Sequence, residues 1–240
     1  MIDRLRSGVT AGALVGLAYG LFTWLVVSPV VRHLEHLASH GGDHGHKVAP
    51  AVGETTTAVI SAGGGVLWGI LLGAAFGVAY HLFEPGLPGG TLKPYVLAGA
   101  GFLTVSVAPW TVLPPATPGM EPLYGSSLRV PLYLGLIVVG GLVAATSILG
   151  YVRTARTRGR SSGVFVALLP LVALGLLSVV APPTLTSGGA PTGLSAAFRW
   201  LVGLSQAGLW ALIAVVFRRF DRRVDRRGTN APMATARGGD

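Results

Sequence analysis

The chain of 240 residues contains no cysteine, so disulfides are excluded. Any metal it meets must be held by nitrogen and oxygen ligands. Charge is also scarce, since only 11% of residues are Asp, Glu, Lys or Arg. A soluble domain carries about 25%. No charged residue falls in the middle of a long apolar run. Ionisable groups at such positions mark proton relays and ion pathways, so a simple proton-coupled carrier loses support. The pattern GxxxxGK[ST] is absent, which excludes nucleotide binding through a P-loop. Neither HExxH nor GxSxG occurs, and no nucleophile–base pair stands out. The chain is not expected to be an enzyme.

What is present is apolar. Hydrophobic residues make up 51% of the chain, and mean hydropathy is +0.63. Six stretches reach the roughly 20 residues that cross a bilayer. They lie near residues 8–31, 57–82, 94–113, 130–152, 163–182 and 196–218. The expected fold is an all-α integral membrane protein, a bundle of about six transmembrane helices forming one domain over residues 1–228. Residues 229–240 read as a disordered cytoplasmic tail. Arg4 and Arg6 precede the first run, as in a signal peptide. That run exceeds the roughly 7–15 residues of a signal core and has no cleavage site after it, so it reads as a retained helix.

The net charge of +9 does not point to nucleic acid, because of where the charge sits. Fourteen of the eighteen Lys and Arg residues fall on one side of the alternating spans. They are Arg4, Arg6, Lys93, the loop Arg153–Arg160 and the tail from Arg218 to Arg237. Arg32, Lys47, Arg129 and Arg199 fall on the other. The positive-inside rule then places both termini in the cytoplasm, which requires an even number of spans. The tail from Arg218 to Arg227 extends the last helix into the headgroups, where anionic lipids attract it. The protein is expected in the cell (plasma) membrane as a multi-pass chain.

Five of the six histidines stand in the long polar stretch between the first two spans: His33, His36, His40, His44 and His46. Residues 32–56 thus form a His-rich loop on the extracytoplasmic side. His33, His36 and His40 follow steps of three and four, which a helical continuation would align on one face. Glu35 and Asp43 add carboxylates, and Gly41, Gly42 and Gly45 let the chain fold back. Imidazole is the commonest protein ligand for divalent transition metals. The candidate metal set is therefore His33, Glu35, His36, His40, Asp43, His44 and His46. The donors alone do not select one metal. Neutral imidazole is the ligating form, so capture through such a loop weakens below about pH 6. His81 and Glu84 stand at the cytoplasmic end of the second span, as an exit pair or as part of an interfacial belt.

Small residues are periodic. Gly8, Gly12, Gly16 and Gly20 recur every four residues in the first span, as do Gly65, Gly69, Gly73 and Gly77 in the second. Each set lies on one helical face, where small residues let backbones approach closely in lipid. These helices are expected to pack on each other or on a partner. In the third span, Pro109 removes a backbone donor, and Pro114 and Pro115 end the helix. Freed carbonyls at membrane depth are tolerated only inside protein or along a wet cavity. Thr104, Ser106 and Pro109 are thus candidate pathway residues, with a plain proline-rich helix exit as the alternative.

The segment from Thr23 to Pro29 (TWLVVSP), followed by Glu35 and the histidines, resembles the first helix and loop of the CbtA family, the probable cobalt transporter subunit. The segment from Gly101 to Gly119 (GFLTVSVAPWTVLPPATPG) resembles that family's third-helix motif, and Leu169-Pro170 with Ala181-Pro182-Pro183 its fifth-helix region. Ser106, Ala116 and Leu171 stand where the family pattern carries His, Glu and His. The resemblance implies a membrane component for uptake of a divalent transition metal, cobalt first, with nickel or zinc as alternatives and no intrinsic cofactor. It implies two partners, the bilayer and a small single-span, His-bearing subunit of the CbtB type. The competing expectation is a non-transporting membrane scaffold or metal-sensing accessory subunit whose histidines only buffer metal.

Overall fold

The computed structural model describes residues 2–39, 54–117, 120–186 and 192–235. Helix α1 (Ile2–Phe22) passes through a π-helical turn (Thr23–Val27) into α2 (Ser28–Ser39). Helix α3 (Glu54–Phe83) follows, then α4 (Lys93–Phe102), which runs through a second π turn (Leu103–Val107) into α5 (Ala108–Trp110). Helices α6 (Ser126–Arg158), α7 (Arg160–Val180) and α8 (Thr192–Thr235) complete the chain. No strand occurs among the described residues beyond one isolated bridge, Pro122 to Leu185.

Among the described residues, six segments are long and apolar enough to cross a membrane: Ile2–Leu34, Gly63–Gly86, Gly90–Trp110, Ser126–Arg158, Arg160–Val180 and Gly193–Arg222. The chain is therefore an all-α membrane protein with six spans. Helix α8 runs on past the last span to Thr235. A helix already nucleated by a span extends at little further cost.

The tightest contact joins α1 and α3. A Cβ placed on Gly12 would lie 2.1 Å from the Gly69 carbonyl oxygen, and one on Gly8 2.2 Å from that of Gly73. Gly16 meets Gly65 in the same way, and Gly65 meets Gly20. Two bare backbones touch along the whole row. Lipid provides no hydrophobic drive between helices, so association rests on this kind of close packing.

The core lies where α1, α3, α4 and α8 converge. Phe76, Tyr80, Trp210, Ile213 and Phe217 are buried there beside Ala11 and Val15. The Phe217 ring sits edge-on to Phe76 and Tyr80, with centroids 5.1 and 5.0 Å away. Trp210 lies across Gly101, where a Cβ would come within 2.3 Å of its ring. Helix α6 joins this four-helix unit through Gly140, which sits against Thr104 and Ala108. Helix α7 rests on α6. Gly159, with φ +91°, permits the sharp reversal between them, and Gly163 then lets α7 approach Ala155. The outer face of α7 is a run of exposed apolar side chains, including Phe165, Val172 and Leu176, as a lipid-facing helix requires.

Candidate functional site

Both π turns stand in front of a proline, and the chemistry explains why. Proline has no N–H, and its ring collides with the carbonyl four residues earlier. Widening the preceding turn moves that carbonyl aside. The Ser28 amide accordingly donates five residues back to the Thr23 oxygen, before Pro29. The Ala108 amide donates to the Leu103 oxygen, before Pro109. Helix therefore continues through Pro109 to Trp110. The third span is bulged, not broken.

The freed carbonyl at Val105 has a donor. The Tyr133 hydroxyl of α6 gives it a hydrogen bond of 2.9 Å. The Thr104 hydroxyl donates to the Ala100 carbonyl at 2.7 Å, and Thr111 to Ala108 at 2.7 Å. Ser106 is buried within the bulge, as is Pro109 just after it. The loops beyond the third and fifth spans are tied together. The Leu123 amide donates to the Thr184 carbonyl and the Thr186 amide to that of Glu121, while the Thr184 hydroxyl donates to Val112. Thr104, Ser106 and Pro109 thus share one polar segment, but its backbone is satisfied by protein side chains.

A second polar group closes the opposite end. Arg4 of α1 hydrogen-bonds the Asp221 carboxylate of α8 and lies 3.4 Å from Glu84 at the end of α3. Its guanidinium stands 5.2 Å from the centre of the Tyr80 ring, and the Tyr80 hydroxyl points to Glu84 at 3.5 Å. Glu84 therefore pairs with Arg4 and Tyr80, while His81 is exposed. The sequence reading of His81 with Glu84 missed this cluster. A signal for it exists: Gly77 meets the Arg4 backbone, so one further turn of the glycine register brings Arg4 level with Tyr80 and Glu84. Asp221, brought in by α8, carries no such signal. Between the two ends, the Gln206 amide of α8 donates to the Tyr19 hydroxyl of α1 at 3.0 Å.

His33 and His36 are exposed on α2. Glu35 is on the same helix. His40, Asp43, His44 and His46 lie outside the described residues. Among the described residues no group of three or more His, Asp or Glu side chains is placed to hold a metal ion. His33 and Arg4 are about 43 Å apart along the helix at 1.5 Å per residue, so the histidines and the His81–Glu84 region cannot share one ion.

Six apolar spans with polar clusters at both ends define a multi-pass protein of the cell membrane. A family model described as probable cobalt transporter subunit (CbtA) matches residues 2–220, and the protein belongs to that family. Membership implies a probable cobalt transporter subunit, hence a partner, and the apolar helices imply a bilayer around it. No curated protein and no solved structure matches it.

Proposed function

We propose that this chain is the membrane-embedded subunit of a cobalt uptake system in which the His-rich loop, residues 32–56, collects the ion outside the cell. Both termini lie in the cytoplasm in this reading. The observation that carries it is family membership together with His33 and His36, exposed one helical turn apart at the end of the first span. Steps of three and four align imidazoles on a helix, and His40, Asp43, His44 and His46 would complete the donor set. The ion would then pass the bulge at Thr104, Ser106 and Pro109 and leave near His81 and Glu84. Nickel and zinc suit the same imidazole donors, so the loop by itself does not choose among them. A small single-span, His-bearing partner of the CbtB type supplies further ligands. No catalytic step is assigned.

The test is metal accumulation in cells expressing the chain with and without that partner. Cobalt uptake should rise with both subunits and fall at least tenfold when all five loop histidines become alanine. Undiminished uptake by the five-fold variant removes the loop as the capture site. No accumulation in either background favours the accessory, metal-buffering subunit.

A further inference from the structure

Helix α4 packs on α8 where Trp210 covers Gly101, and toward Trp110 and Arg199 the two helices part. The gap is a groove of about 500 Å³, open to the side, with Phe102, Trp110, Trp200, Gly203 and Ala207 among its walls. That volume is within the range that holds a drug-sized apolar ligand.

Its depth in the membrane follows from α8. Arg199 and Arg218 are about 28 Å apart along the helix, close to the roughly 30 Å of a hydrocarbon core. Arg199 therefore sits at one headgroup level, with Trp110 and Trp200 beside it where tryptophan accumulates. From Arg199 to Ala207 the groove descends about 12 Å, most of one leaflet. Its lining is apolar except for that one guanidinium. The Arg199 guanidinium donates from Nη2 to the Met120 thioether, 3.7 Å away, and no carboxylate pairs with it among the described residues. A guanidinium binds phosphate oxygens through paired donors. No acidic side chain lines the groove to receive a headgroup ammonium.

We propose that this groove is a site for one anionic phospholipid, an acyl chain lying between α4–α5 and α8 and the headgroup phosphate on Arg199. The site is separate from the loop histidines and independent of which metal is carried.

Native mass spectrometry of the purified chain tests it, with phosphatidylglycerol and phosphatidylcholine offered in equal amounts. The wild type should retain one phosphatidylglycerol about fivefold over phosphatidylcholine, the preference conferred by one arginine near an anionic headgroup. R199Q should bring the ratio to about one while keeping an acyl chain bound. G203F should abolish retention of both, because a side chain there enters open space in the groove. G175F, equally unobstructed but on α7, should behave as wild type and show that the bulk itself is tolerated. Glycerol phosphate without acyl chains should not compete. Equal retention of the two lipids by the wild type overturns the proposal, as does unchanged retention by G203F. A polypeptide adduct, lost in G203F and present without lipid, assigns the groove to a partner helix and overturns it too.

Discussion

At Pro109 the missing amide and the bulk of the ring leave the Val105 carbonyl, four residues earlier, without its helical donor. Tyr133 supplies one from a neighbouring helix. In lipid an unpaired carbonyl has no water to turn to, so Y133F should destabilise the protein by about 1 kcal/mol, read as a lower midpoint of unfolding in detergent. A T146V change, which removes a hydroxyl bonded only within its own helix, should cost less. Charge at the other end makes a stronger prediction. Arg4 serves two carboxylates, with 22% of its side chain exposed against 12% for Asp221 and 33% for Glu84. Its removal leaves two acids near each other without their shared cation. R4Q should cost about 2 kcal/mol, less than the 3–5 kcal/mol of a fully buried pair. D221N should cost less than R4Q, and E84Q least, because the most exposed partner is best screened by water. An E84Q variant less stable than D221N in the same unfolding assay would contradict this order.

Among the elements, the α1–α3 pair is set by a row of absent side chains. Gly12 has a carbonyl where a Cβ would go, whereas Gly175 on α7 has open space. G12A should therefore lower stability by about 1–3 kcal/mol through overpacking, and G12L should separate the helices. G175A should stay within about 0.5 kcal/mol of wild type. Thermal unfolding of the two alanine variants side by side checks this; equal midpoints would mean that the α1–α3 contact is loose. The π turns show a different local logic. Thr23–Val27 and Leu103–Val107 each end two residues before a proline, yet their sequences share little else. A proline accompanies each bulge but does not suffice for one, since Pro131 in α6 and Pro170 in α7 stand inside helices without a π turn.

Across the whole molecule, orientation is the property on which the uptake proposal depends. The absence of cysteine makes it directly measurable. A single cysteine in place of His36 should react with a membrane-impermeant maleimide in intact cells. One in place of Arg156 should react only after permeabilisation. The reverse pattern would put the histidines inside the cell and end the case for capture from outside. The arrangement of spans also bears on assembly. Four helices share one core, while α7 leans on α6 and leaves a broad apolar face to lipid.

The six spans could be read in the chain because crossing a bilayer needs length and apolarity, both properties of a segment by itself. The glycine rows were visible as a four-residue period, and the proline effects as local backbone chemistry. The Arg4 cluster escaped because pairing the histidine with its near neighbour ignored the register between helices. Tyr133 gave no sign of its role, since nothing in a chain announces which distant carbonyl a hydroxyl will meet. Spacing and composition thus determined the number of helices, the face along which backbones can touch and the polar stretch richest in metal ligands. Tertiary structure alone decided that the rows meet each other, that Arg4 binds α8 and α3 at once, and that α4 and α8 part to leave a groove under Arg199. The reason is physical: periodicity fixes what one helix can present, and only packing fixes what it is presented to.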